Sequence, residues 1–298
     1  MINYELILVN DGSSDSSSKI ILKFKKNNRI KIYNFEKNVG QSKARNFGIK
    51  ISNGRYIMFV DSDDTIEKNC FRKIIDKIIL HKADIYYTNQ FYKINSEKKL
   101  KDLNFEINPI KNYILGSPAP HSKIIKKELC HFFPNFKRYE DLSIMPFYAL
   151  KTTKIHNLNF PYYNYYKTKN SIMHKSNYNY QYMIKALDFL FNKINKEKNY
   201  FLYKAEYDFL IIKNIIYFSL LRSSFLEKEI QYFLFELEYL ESIIPDWNLN
   251  HYLYKQDKNF IKYVNLLNEN RNKAIEFFKN TEVKIKWVKN IMKLIICF

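Results

Sequence analysis

The chain has 298 residues, 46% of them hydrophobic and 17% aromatic, which excludes a chain too polar to bury a core. Its formal net charge of +19 favours anionic partners but does not choose among nucleotide, nucleic acid and acidic lipid. Cys70, Cys130 and Cys297 form no CxxC and cannot all pair within the chain, which argues for a reducing compartment and against a structural zinc.

The opening MINYELILVND lacks the charged stretch, apolar run and cleavage site of a secretion leader. ELILV (5–9) reads as a strand, NDGSSDS turns the chain, and SKIILKFKK carries Ile20, Ile21 and Phe24 at helical spacing. RIKIYNF (29–35) predicts a second strand, and after NVGQ the stretch SKARNFGIKISNG predicts a helix with Gly54 near its C-terminal cap. RYIMFV (55–60), apolar on both faces, predicts a central parallel strand, followed by a helix from about Glu67 to Leu80 and a strand in DIYYTNQFYKI. Strand and helix alternating over such short connections imply right-handed βαβ crossovers and a parallel sheet covered by helices. Ligands of such sheets bind beyond the carboxyl ends of strands, where NDGSSD and DSDDT both fall.

From Lys98 to Pro120 the chain reads as irregular, with turn signals at Pro109, Gly116, Pro118 and Pro120. From Tyr178 to about Ser242 it reads as helical, without an internal repeat. FLIIKNIIYFSLL (209–221) is the nearest approach to a membrane span, but Lys213 and Asn214 interrupt it and it reads as a buried helix. A boundary near 175 is expected, between an α/β domain (1–175) and a helical region (176–298). The final EVKIKWVKNIMKLIICF puts Lys286, Lys289 and Lys293 on one helical face, which suits an anionic membrane interface or a terminal helix packed on its own protein.

Three stretches carry candidate chemistry. In NDGSSDS, Asp11 ends a strand at the ligand edge, where a carboxylate can accept hydrogen bonds from a base or ribose; a turn and helix cap explain the stretch equally. NVGQSKARNFG places Lys43 and Arg45 in a helix near that edge, suited to phosphate or simply solvated. In DSDD, Asp61 can reach ribose hydroxyls while Asp63 joins a divalent cation shared with phosphate oxygens; Asp64 and Thr65 suit a helix cap. VDSDDT also fits the DxDxT signature of haloacid dehalogenase-type phosphatases, in which Asp61 would be the nucleophile and Asp63 the acid or base. That reading leaves NDGSSD and KARNFG unexplained. Glu140 and Asp141 form a further acidic pair, in which one carboxylate raises the pKa of the other as a general base requires, or which simply starts a helix.

VNDGSSD, NVGQSKARNFGI and YIMFVDSDD, in this order, resemble the family 2 glycosyltransferases of the nucleotide-sugar-binding GT-A fold. The resemblance implies a GT-A-like, mostly parallel sheet flanked by helices, followed by a helical C-terminal region. It implies nucleotide contacts at Asp11, Lys43, Arg45, Asp61 and Ser62, and a metal, Mg²⁺ or Mn²⁺, at Asp63. HSKIIKKEL (121–129) is similar to the segment between the halves of the site, with His121 where the family usually has Trp. YEDLSIMPFYAL (139–150) resembles the family's Glu-Asp motif, which makes Asp141 the general base, and YNYYKTKNSIMH (163–174) resembles its closing segment, with His174 a further metal or phosphate contact. The implied reaction is inverting transfer of a sugar from a nucleotide donor, expected to be a UDP-sugar, to a glycan or lipid-linked acceptor. The implied setting is surface polysaccharide synthesis, in the cytoplasm or peripherally on the inner face of its membrane, with no nucleic-acid partner. The family's first strand and helix precede its counterpart of Asp11. Their absence before Asp11 predicts a base pocket short of one wall, and so either a fragment or mis-started copy of a longer enzyme or an inactive or weakly donor-binding remnant.

Overall fold

In this computed structural model the described residues are 3–88, 91–95, 97–101, 106–166, 180–218, 227–256 and 258–279. The first two apolar runs become β1 (Leu6–Asn10) and β2 (Ile30–Asn34), paired in parallel with Leu6 opposite Ile30 and Asn10 opposite Asn34. Between them lies α1 (Ser17–Leu22), and after β2 comes α2 (Gln41–Ile51), which buries Ser42 and Ile49. β3 (Tyr56–Met58) leads through the acidic turn into β4 (Thr65–Ile66) and α3 (Cys70–His81).

Long-range pairing then departs from the parallel expectation for β3. β8 (Lys123–Lys126) runs antiparallel between β3 and β5 (Ile85–Tyr87), and β5 pairs in parallel with β9 (Ile155–Asn157). The run expected as one strand over DIYYTNQFYKI divides in two. β5 stays in that sheet, whereas β6 (Phe91–Asn95) joins a second sheet of order β4, β10 (Tyr163–Tyr166), β6 and β7 (Glu97–Lys101). Hydropathy reports how deeply a strand is buried and not which distant segment inserts beside it, so a partner more than sixty positions away escapes periodicity. The α/β class holds, with parallel and antiparallel pairs combined.

Within the stretch expected to be irregular lies α4 (Pro109–Leu115), capped by Asn108, whose side chain accepts from Ile110 N and Lys111 N. The helical region contains α5 (Tyr180–Ile194), α6 (Lys204–Ile212) with a wider-wound continuation over Lys213–Phe218, α7 (Glu227–Ile243), α8 (Lys258–Glu269) and α9 (Arg271–Lys279). The boundary expected near 175 lies outside the described residues, as do His174 and the basic stretch 282–298.

One apolar core runs through both parts, joining Ile85, Ile125 and Tyr148 to Leu187, Leu210 and Val264. Polar contacts reinforce the seam. The Tyr207 hydroxyl donates to Pro146 O at 2.9 Å, Asn199 Nδ2 donates to Leu150 O at 3.0 Å, and the buried Glu206 pairs with Lys111 of α4 at 2.8 Å. Two helices of this region, α5 and α7, share a burial pattern without sharing residue types. Residues 181–196 and 231–246 follow the same position-by-position succession of exposed, half-buried and buried side chains.

Candidate functional site

The site is built from turns that leave the ends of β1 and β3, and from two distant segments folded over them. Beyond β1 the chain turns at Gly12 (φ +63°), where a Cβ would meet the Lys37 carbonyl carbon at 2.3 Å, so only glycine fits. This close approach lets the Asp11 carboxylate accept from Val39 N (2.7 Å) and Gly40 N (3.0 Å), while Asn38 Nδ2 donates to Asp11 O (3.1 Å). Asp11 thus ties the β1 turn to the turn that starts α2. Lys43, in the first turn of α2, is exposed, and two residues on Arg45 points inward.

Arg45 is the centre of the arrangement. Its guanidinium donates from Nη2 to Asp61 Oδ1 at 3.0 Å and from Nη1 to Glu140 Oε1 at 2.8 Å. Phe133, whose ring lies 5.4 Å from the guanidinium carbon, is held by Asn46 of α2 through two backbone hydrogen bonds of 2.8 Å. A planar fork is suited to bridging two carboxylates in this way. Burial works against the charge on Asp61, but the contact with His121 and the charge and hydrogen bond of Arg45 prevail and hold its carboxyl at about 2. Glu140 responds the other way: burial and then the neighbouring Asp141 charge raise it, with Arg45 opposing. Tyr139, just before this pair, has φ +61°, a left-handed backbone unusual for a large side chain.

The other oxygen of Asp61 lies 3.4 Å from His121 Nδ1. His121 sits in a short turn before β8, its ring stacked on Tyr163 at 4.2 Å between centroids, and its carbonyl accepts from the Tyr162 hydroxyl at 3.0 Å. Tyr163 in turn accepts from Asp61 N (3.1 Å) and donates to Asp64 Oδ2 (2.7 Å), while Tyr166 N donates to Asp64 Oδ1 (2.8 Å). Asp64 therefore binds the acidic turn to β10 in addition to preceding β4. Burial raises its carboxyl, against the lowering effect of these two hydrogen bonds.

Asp61, Asp64 and His121 each offer a ligand atom within 4.8 Å of the others, and they form the metal-capable group among the described residues. Two carboxylates and an imidazole fit a divalent ion such as Mn²⁺, which accepts nitrogen more readily than Mg²⁺. Asp63 and Ser62 lie exposed at the tip of the same turn, outside that group.

Behind the turn the buried Lys123 donates to Ala119 O (3.1 Å), Ser122 Oγ (3.0 Å) and Ser117 O. Burial draws its ammonium down to about 7, with the Asp141 charge resisting. Asp141 itself is half-buried at the start of the tightly wound segment that ends in a 3-10 turn over Pro146–Leu150.

The structure thus unites Arg45, Asp61 and the Glu140–Asp141 pair, places Asp11 and Lys43 on the adjoining turns, and leaves Ser62 and Asp63 at the rim. The roles of Asp64, His121 and Tyr163 were missed as specific contacts. Their signal in sequence is only that they fall within DSDD, HSKIIKKEL and YNYYKTKNSIMH.

The site is thus an acidic turn beyond β3, an edge strand of its sheet, clamped by Arg45 to a second acidic pair on an α/β scaffold. The sequence profile described as Glycosyl transferase family 2 matches residues 2–133, the segment that holds the β1 turn, α2 and the acidic turn after β3. Glycosyltransferase GlyG of Streptococcus pneumoniae serotype 4 is 30% identical over 183 residues, which cover 55% of this chain and 61% of that protein. Minor teichoic acid biosynthesis protein GgaB of Bacillus subtilis is 41% identical over 85 residues, 28% of this chain and 9% of GgaB. The matched stretches thus span less than two thirds of either relative. The crystal structure of S. aureus TarS 1-349 in complex with UDP-GlcNAc superposes with a TM-score of 0.73 at 19% identity, covering 96% of this chain and 83% of that one. At that identity the likeness speaks for the fold, GT-A-like with a helical C-terminal region. All three motifs that carried the resemblance fall inside the family match, whereas the phosphatase reading accounts for one.

Proposed function

We propose that this chain transfers a sugar from a nucleotide-diphosphate donor to a hydroxyl of a glycan or lipid-linked acceptor, with inversion at the anomeric carbon. The observation that carries the reading is the Arg45 bridge, since one guanidinium joins Asp61 on the donor side to Glu140 beside Asp141. Asp141 takes the proton of the acceptor hydroxyl as its oxygen attacks the anomeric carbon. The bond from that carbon to the diphosphate oxygen breaks, and the nucleoside diphosphate departs with the bonding pair. Asp11 and Lys43 line the nucleotide side, Asp61 and Ser62 face the ribose, and Asp61, Asp64 and His121, with Asp63 at the rim, would hold a divalent ion. Such an ion, when bound, offsets the charge that develops on the departing diphosphate.

A UDP-sugar is the favoured donor because the TarS structures with this architecture contain UDP-GlcNAc and UDP. Synthesis of a surface polymer is favoured by the likeness to a teichoic acid protein. Among the described residues no helix is long and apolar enough to cross a membrane, so contact with a lipid-linked acceptor would be peripheral.

Asp141→Asn is expected to leave UDP binding with Mn²⁺ unchanged in calorimetry while lowering transfer at least about a hundredfold, the scale of general-base catalysis. Transfer at near-parental rate in this variant would remove Asp141 from the role. A second reading, donor binding without efficient transfer, is favoured by the separation of the β1–β2 pair from the sheet that contains β3. UDP binding by the parent without turnover of any UDP-sugar would select it.

A further inference from the structure

The 3-10 turns that follow α5 and α7 both meet α6, and the exposed side chains they carry have the chemistry of a lipid contact. α5 and α7 bury equivalent positions, Met183, Ala186, Leu187, Leu190 and Ile194 in one and Phe233, Glu236, Leu237, Leu240 and Ile244 in the segment containing the other. Each unit continues through short 3-10 turns into the next helix: Tyr200–Tyr203 precedes α6, and Trp247–Leu249 and Leu253–Lys255 precede α8. The later turns pack against α6, the helix that the first turn begins. Trp247–Leu249 packs on α6, Asn250 Nδ2 donates to Ala205 O at 2.8 Å, and the Phe209 and Tyr252 rings are 5.4 Å apart.

The buried members of these turns, Tyr200 and Trp247, anchor them to the core, whereas Phe201 (75%), Leu202 (71%) and Leu249 (72%) stand in solvent. Lys196 and Lys198 are exposed before the first turn, and Lys204 after it is already paired with Asp208. Two of the nearby carboxylates are already matched, Glu197 by Lys151 at 2.7 Å and Asp208 by Lys204 and the Tyr200 hydroxyl, which leaves Asp246 exposed on the second turn.

We propose that these turns dock the protein on an anionic lipid surface, with Phe201, Leu202 and Leu249 entering the headgroup boundary and Lys196 and Lys198 meeting lipid phosphates. Large apolar side chains at turn tips, flanked by long cationic side chains, partition into that boundary. Three tips expose far less area than the roughly 1,600 Å² of a standard protein interface, so a lipid surface suits them better than a second protein. The net charge of +19 acts in the same direction. None of these residues belongs to the basic stretch 282–298, and the inference does not depend on the donor chemistry.

Flotation of the full chain with phosphatidylcholine vesicles, with and without phosphatidylglycerol, tests it. The parent is expected to float with the anionic vesicles and not with the neutral ones. A triple variant, Phe201→Ser, Leu202→Ser and Leu249→Ser, is expected to lose bound fraction about tenfold with an unchanged circular dichroism spectrum, because exposed tips contribute little to folding. A control with Lys286, Lys289 and Lys293 replaced by Ser should still float and still be sensitive to the triple change. The proposal is overturned by a parent that stays unbound, by a triple variant that floats like the parent, or by a parent dimer in sedimentation that the triple change abolishes without altering flotation.

Discussion

Arg45 answers to two carboxylates from segments far apart in the chain, and the two respond oppositely. Asp61, brought to about 2 from an ordinary 3.8, is more acidic folded than unfolded. Its contribution to stability is therefore fully present above about pH 4 and lost as pH falls towards 2. Glu140 has the opposite sign, since burial and the Asp141 charge raise it and its cost is relieved on protonation. Asp61→Asn is expected to flatten the acid side of the stability profile by about 2 kcal/mol between roughly pH 4 and pH 2, compared by urea unfolding at a series of pH values. Equal acid slopes in parent and variant would contradict the assignment. Arg45 and Asp61 were legible as candidates because their motifs are local. That Asp61 also meets His121 and Tyr163 was not, because stacking and hydrogen bonding across 60 and 102 positions leave no periodic trace.

Among the elements, α4 shows how one residue supports two readings. Pro109 suggests a break in the chain, yet proline suits the first turn of a helix, where its missing N–H is not needed, and asparagine before it suits the cap. Asn108 serves as that cap and α4 packs against α6, so the stretch expected to be irregular instead forms the shelf on which the helical region rests. Asn108→Ala is expected to cost about 1 kcal/mol, seen as a lower urea midpoint at unchanged slope. No shift in the midpoint would show the cap to be idle. α5 and α7 share a burial pattern but not residue types, as where Ala186 and Glu236 take equivalent buried places, so the likeness leaves no trace in the sequence.

Across the whole molecule, the expected division near 175 suggests two parts, but the apolar core crosses the seam without a gap. Elements that share a core unfold together. In a Trp287→Phe background, fluorescence of the buried Trp247 should report the same denaturation midpoint as far-UV circular dichroism. A helical region that lost its Trp247 signal well before the remaining helix content would show the seam to be weaker than its packing.

What the sequence determined by itself was the local order: the alternation of the first ninety residues, the acidic turns after two strands, the helical character of the later half and the family those motifs resemble. Each rests on interactions within a few residues, where spacing and residue type suffice. Tertiary structure alone decided that β8 lies between β3 and β5, that Arg45 joins Asp61 to Glu140, and that His121 and Tyr163 close over Asp61. Those contacts are chosen by which apolar faces can be buried together, a choice made by the chain as a whole.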